Sequence, residues 1–364
     1  MKKFLTLAIM LIISLTSCKS KADSNEIIIG VPEPLTGEYA QYGTSIKEGI
    51  ELKIAEINEN GGINGKKVKA VYQDTKGDVQ ELVNIFKQMV NNGIDAVLGE
   101  SISANSAALA ELAQKAKIPM ITPAGTALDI TQDRDYVFRT TFTDPYQGQV
   151  LAKYLKKEGV QDVALLVNKG SDYSVGVAEA FKKEAAKDAI KVYEENYTNT
   201  DKDFKTILTK IKNEGYKTVV IPDYYNTIGL ILSQAKEIGL EAQYYGADGW
   251  DGIQDSFAKL AEGAIFSSQF TSDDTTPKVQ EFISNYRKKF SKEPLIFAAL
   301  GYDAMTTLES AFKKGGDLKE ALKNTDLDLL TGHVKYDENG NPKKKVTFVQ
   351  IKNGKQVLKE KFGE

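Results

Sequence analysis

Cysteine, histidine and tryptophan occur once each in the 364 residues, as Cys18, His333 and Trp250. One thiol excludes an internal disulfide, and one imidazole excludes a His-based metal cluster, so neither metal nor cofactor is expected. Beyond residue 18 no apolar run approaches the roughly 20 residues that span a bilayer as a helix. Excess positive charge is also missing. Lys and Arg number 47 against 50 Asp and Glu, a formal charge of −3, which gives no overall drive toward nucleic acid. Enzyme signatures are equally scarce. Residues 61–67, GGINGKK, have a phosphate-loop flavour but lack the GxxxxGK[ST] spacing. They also follow a helix and precede a strand, the reverse of a P-loop, so they read as a connecting turn. No GxGxxG follows the first strand and no GxSxG elbow occurs. His333 alone supports no general base, and carboxylate pairs among 50 acids arise by chance. No enzymatic activity is expected.

What is present begins at the N-terminus. Lys2 and Lys3 precede an apolar run over residues 4–15 and then Leu15-Thr16-Ser17-Cys18. That order is a charged segment, an apolar segment and a small-residue cleavage site. LTSC resembles the lipobox of bacterial lipoproteins, in which cleavage before the Cys leaves it to carry lipid. Residues 1–17 are therefore expected to be a signal peptide. Cys18 is the expected lipidation site, and residues 18–25 a polar tether holding a folded domain on the outer face of a bacterial membrane.

The rest exceeds the size at which single cores usually split, so two lobes are expected. Apolar, β-branched runs alternate with segments of helical spacing. Strands are expected at 27–31, 67–74, 94–98 and 119–122, with helices at 45–60, 78–92 and 104–117. Asp78 is placed to cap its helix, and Gly93 to follow its end. The pattern resumes with helices at 144–158, 175–188, 204–214, 227–238 and 253–262. Strands alternate with them at 163–167, 191–197, 218–222, 244–246 and 264–270. Two rounds of βα units imply two doubly wound parallel-sheet lobes, an α/β fold. The last third differs. Helices are expected at 277–290, 296–314 and 318–323, then a hairpin of strands 334–336 and 346–351 around Asp337 to Pro342. This part is expected to pack back onto both lobes.

Six segments, in order and over essentially the whole chain after the leader, resemble the leucine/isoleucine/valine-binding family of periplasmic binding proteins. They are PLTGEYAQYG (34–43), GGINGKK (61–67), ITPAGTA (121–127), RTTFTDPYQG (139–148), KDF (202–204) and YGADG (245–249). The resemblance implies a type I, Venus-flytrap fold whose lobes, joined by three crossovers, close on a ligand. The crossovers would fall near Thr143, Thr271 and Val334. The N-terminal lobe would then hold residues 26–142 and 271–333, and the C-terminal lobe 143–270 and 334–364. It also implies delivery of the ligand to the permease subunits of an ABC transporter, by a monomer.

A free amino acid needs two charged anchors and one shaped slot. Residues 101–106 follow a strand and open a helix, whose free N–H groups and hydroxyls suit a carboxylate. The resemblance assigns Ser103 to it, with the backbone at Ala124 and the Thr126 hydroxyl; from position alone Ser103 or Ser101 could equally be a helix cap. Asp248 matches the family's acid for the α-ammonium. Tyr173 and Tyr224 match tyrosines that close over the ligand. Tyr42, Phe297 and Trp250 are candidates for the slot, which points to a branched-chain or other apolar amino acid. Asp223 departs from the small residue common there; a second acid near the ammonium and a surface turn both fit it. An amide, urea-like or aromatic acid ligand, or a sensor role, are the alternatives on the same fold.

Overall fold

A computed structural model of the chain describes residues 25–363. The expected signal peptide and Cys18 lie outside the described residues. The first sheet contains β1 (Glu26–Glu33), β2 (Lys67–Asp74), β3 (Ala96–Leu98), β4 (Met120–Thr122) and β5 (Val137–Arg139). Helices α1 (Ala40–Glu59), α2 (Val79–Asn91) and α3 (Ser103–Ala116) connect them, and all pairings are parallel in the order β2-β1-β3-β4-β5. Local chemistry explains the elements. The Asp78 carboxylate accepts the Glu81 N–H and caps α2, whose buried Leu82, Ile85, Phe86 and Met89 repeat at helical spacing. Each such side chain contributes about 1.5–3 kcal/mol on burial.

Helix α4 (Asp144–Lys157) leads to the second sheet. There β6 (Asp162–Asn168), α5 (Asp172–Lys187), β7 (Lys191–Tyr197), α6 (Lys205–Asn213) and β8 (Thr218–Ile221) alternate. Next come α7 (Tyr225–Glu237), β9 (Gln243–Gly246), α8 (Ile253–Phe257) and β10 (Ile265–Ser268). The five strands run parallel in the order β7-β6-β8-β9-β10, the same winding as the first sheet. In this winding the switch point lies between the first and third strands, where ligands bind at the carboxyl ends.

The remainder forms α9 (Pro277–Phe290), α10 (Ile296–Lys314), α11 (Leu318–Lys323), β11 (Asp326–Leu329), β12 (Gly332–Lys335), β13 (Val346–Lys352) and β14 (Lys355–Phe362). α10 returns to α1 at a very close crossing. A Cβ on Gly49 would lie 1.9 Å from the Ala298 carbonyl oxygen, and one on Gly301 2.4 Å from that of Ile46. β13 pairs antiparallel with β10, and β14 extends that edge. The tail thus packs on elements of both sheets.

Four expectations need correction. The hairpin of 334–336 with 346–351 does not form: β12 pairs with β11, and β13 joins the second sheet. Only a Tyr336–Pro342 bridge closes the turn, which the Asp337 carboxylate holds by accepting the Asn339 and Asn341 N–H groups. β13 finds ladders on both sides in the second sheet, which outweigh one bridge next to a proline. The second sheet is therefore mixed at one edge rather than wholly parallel. The helix at 253–262 stops at Phe257. Its ring packs against Gly229 of α7, and its carbonyl takes both the Leu260 and Ala261 N–H groups in a tightened last turn. β5, β11 and β14 escaped the sequence reading. β14 is half Lys and Glu, the charged composition of an edge strand, and reads as a polar tail. Among the described residues no helix is long and apolar enough to cross a membrane.

Candidate functional site

The carboxyl ends of β1, β3 and β4 face those of β6, β8 and β9 across a small, tightly closed cavity. Eight of the expected binding residues line it. From the first sheet's side come Tyr42, Ser103, Ala124 and Thr126; from the second sheet's side come Tyr173, Tyr224 and Asp248; Phe297 reaches it from α10. Ser101 and Gly249 complete the lining.

Ser103 is the first residue of α3, and its preceding cap position, Ile102, makes no side-chain cap bond. Its Oγ instead accepts the Thr126 and Ala127 N–H groups at 3.3 and 3.4 Å and lies 3.4 Å from Thr126 Oγ1. The hydroxyl thus ties two loops together rather than capping its own helix. Beneath them Thr122 Oγ1 accepts the Gly125 N–H and donates to the Glu100 carbonyl. Arg139, fully buried at the end of β5, donates to the Gly125 and Ala127 carbonyls at 3.0 and 2.8 Å and to Thr131 Oγ1 at 3.1 Å. Burial lowers the guanidinium to about 10, so it stays charged. This wall collects a helix N-terminus, hydroxyls and a buried cation, which together suit an anion.

Asp248 begins the turn after β9 and is 4 % exposed. Its Oδ1 accepts the Tyr173 hydroxyl at 2.8 Å and Gln147 Nε2 at 3.1 Å. Burial raises its carboxyl to about 6, while the bonds from Tyr173 and Gln147 oppose the rise. Gln147 sits on α4 and spans to Asp144 Oδ1 at 3.1 Å, and its own oxygen takes the Ser267 hydroxyl and the Asp248 N–H. Burial pushes the Asp144 carboxyl up to about 8, with the Asp248 charge adding to the rise. Tyr173 also accepts the Gly249 N–H at 2.8 Å and stacks on Tyr224, with centroids 4.9 Å apart.

Tyr42 and Phe297 pack ring to ring at 4.3 Å. The Tyr42 hydroxyl crosses between the sheets, donating to the Gly249 carbonyl at 2.6 Å and accepting the Tyr225 N–H at 3.1 Å. Further bonds bridge the same gap at the rim. Gln41 reaches the Gly252 carbonyl and Asp255, while Tyr225 and Asn226 reach the Glu38 carbonyl.

Two candidates lie elsewhere. Trp250 is fully buried beneath the turn, donating Nε1 to the Ile221 carbonyl at 2.7 Å and stacking on Phe266, so it belongs to the core and not the slot. Asp223 is neither a second acid on the cavity nor a surface turn. It is 1 % exposed and bonded to the Tyr197 hydroxyl, Asn168 Nδ2 and the Tyr224 N–H. Gln147 and Arg139 went unread in the sequence, although the RTTFTDPYQG segment contains both. His333 is away from the cavity, between Asp326 and Asp328. Among the described residues no group of three or more His, Cys, Asp or Glu side chains is placed to hold a metal ion.

Comparison with known proteins places this geometry. The family model described as periplasmic binding protein matches residues 26–356. A leucine-, isoleucine-, valine-, threonine- and alanine-binding protein of Pseudomonas aeruginosa is 30% identical over 345 residues, covering 92% of each chain. The crystal structure of a leucine-binding protein of Thermotoga maritima superposes with a TM-score of 0.87 at 29% identity, covering 93% of this chain and 99% of that one. That of a branched-chain amino acid transporter substrate-binding protein of Streptococcus pneumoniae, solved with isoleucine, gives 0.86 at 31% identity, with coverage of 92% and 98%.

Proposed function

Because the chain belongs to the periplasmic binding protein family, with the type I fold of solute-binding proteins rather than enzymes, we propose that it captures an α-amino acid for an ABC transporter. The observation that supports this reading is the division of one cavity into two electrostatic halves. Ser103, Ala124 and Thr126 offer N–H groups and hydroxyls on one side, and Asp248 offers a buried carboxylate on the other. A zwitterion carries the matching charges on one carbon. Its carboxylate would take the Ser103 and Thr126 donors, now spent on one another at long range. Its ammonium would take Asp248, whose Oδ1 is held in place by Tyr173 and Gln147.

In this reading residues 26–142 with 271–333 and residues 143–270 with 334–364 are the two lobes. Ligand contacts with both favour the closed arrangement by their surplus over contacts with one. The Tyr42–Gly249 and Gln41–Asp255 bonds lock the rim. The protein acts as a monomer on the outer face of the membrane, tethered through lipidated Cys18, and its closed form docks on the permease subunits. Calorimetric titration of the purified protein with the common amino acids tests the ligand class. Tight binding of at least one, lost in Asp248→Ala, is expected; no heat across the set would remove the amino-acid assignment. Labelling with radioactive palmitate, abolished in Cys18→Ala, tests the anchor.

A further inference from the structure

The expected slot is apolar, but its wall on the first sheet's side is not. Ser101 lines the cavity between β3 and α3 at 5 % exposure, and its hydroxyl has no hydrogen-bond partner. Directly behind it, at the end of β1, Glu33 is fully buried. Glu33 Oε2 accepts the Ser101 N–H at 3.1 Å, while Oε1 has no partner. The neighbouring Glu100 is different: its carboxylate takes the Thr75 hydroxyl, Asn105 Nδ2 and the Ile102 N–H. On this patch the unmet bonding is that of two atoms, Ser101 Oγ and Glu33 Oε1. Burial and the Glu100 charge raise the Glu33 carboxyl well above its usual range, and Ser101 opposes that rise through both its backbone and its side chain.

Buried polar atoms almost always have partners, and one on a cavity wall that lacks a partner is placed to meet a group entering the cavity. We infer that Ser101, held from behind by Glu33, recognises a polar group on the ligand's side chain, so that the preferred ligand is a small amino acid ending in a hydroxyl or carboxamide rather than a hydrocarbon. Such groups both donate and accept. They can exchange a bond with the Ser101 hydroxyl in either direction. The opposite wall, Tyr42 against Phe297, presents rings suited to the hydrocarbon part of the same side chain. The small cavity favours a short chain. This inference rests on the amino-acid reading and sharpens it by replacing the apolar slot with a two-faced one.

Isosteric pairs test it. The purified protein is titrated calorimetrically with L-threonine against L-valine, L-asparagine against L-leucine, and L-alanine. At least one polar member is expected to bind about tenfold or more tightly than its apolar counterpart, because a site that bonds a hydroxyl or amide discriminates strongly against its absence. In Ser101→Ala, and separately in Glu33→Gln, the affinity of that ligand relative to L-alanine is expected to fall at least about fivefold. Reading the ratio removes any common loss from a damaged fold. Valine and leucine binding as tightly as their polar partners overturns the inference, as does a preference that survives both substitutions. In those outcomes Asp248-dependent binding of apolar amino acids leaves the proposed function standing. Failure of every amino acid to bind overturns both.

Discussion

Replacing Asp248 by Asn separates charge from shape. The Asn oxygen can still accept the bonds that Tyr173 and Gln147 make to Oδ1 at 2.8 and 3.1 Å, so the turn after β9 keeps its position. What disappears is the negative charge that, in the proposed function, faces the ligand's ammonium. Breaking a buried ion pair from one side costs about 3–5 kcal/mol, which is roughly 10²- to 10⁴-fold in affinity. Stability should move the other way. Burial raises the Asp248 carboxyl from 3.8 to about 6 in the folded chain. A raised acid binds its proton more tightly folded than unfolded. The resulting penalty is absent below pH 3.8, grows between pH 3.8 and 6, and is constant above, at up to about 3 kcal/mol. Asn carries no such penalty. Denaturant unfolding at pH 7 without ligand should therefore find Asp248→Asn more stable than the parent, with the difference gone near pH 3.5. Calorimetry on the same samples should find binding weakened at least about 100-fold. A variant that binds within about threefold of the parent would refute the assignment of Asp248 to the ammonium. A variant less stable than the parent at pH 7 would refute the claim that this acid is held at a cost for function.

Three further outcomes follow from the same geometry. In the parent, affinity should level off above pH 6 and fall toward tenfold per unit below it, as Asp248 takes its proton; Asp144, raised to about 8, and Tyr173, raised well above its usual value, stay mostly neutral up to about pH 7. Titrations between pH 4.5 and 7.5 check this, and a flat profile contradicts it. Tyr42→Phe removes the hydroxyl that joins the Gly249 carbonyl to the Tyr225 N–H, so ligand dissociation in stopped flow should quicken about tenfold with little change in thermal stability. Gly301→Val forces a side chain where even a Cβ meets the Ile46 carbonyl oxygen at 2.4 Å; α1 and α10 must separate, and a loss of more than about 3 kcal/mol is expected in chemical denaturation.

Strand and helix alternation was plain because parallel strands buried on both faces are unbroken apolar runs, and their helices carry caps such as Asp78. The tail was harder. Val346–Lys352 looks the same to its neighbours in sequence whether its partner is β12 or β10, and only the number of available ladders decides. Edge strand β14, half Lys and Glu, carries little signal at all. In the cavity, eight of the ten lining residues are legible in the sequence, six of them because they sit just past strand ends. Gln147 and Glu33 are not, since their roles come from contacts 101 and 68 residues away in the chain. Ser101 reads from its position as a helix cap or a carboxylate donor, not as a side-chain contact. Asp223 shows the limit of reading an acid by type: three bonding partners make it a structural pin.

The central claim is that the two sides of the cavity grip the two charges of one α-carbon. Taking whichever amino acid binds most tightly, calorimetry with that ligand, its decarboxylated amine and its deaminated acid tests this directly. Both analogues should bind at least about 100-fold more weakly than the parent amino acid, since each leaves one buried anchor unpaired. An acid or amine that binds as tightly as the zwitterion would contradict the account.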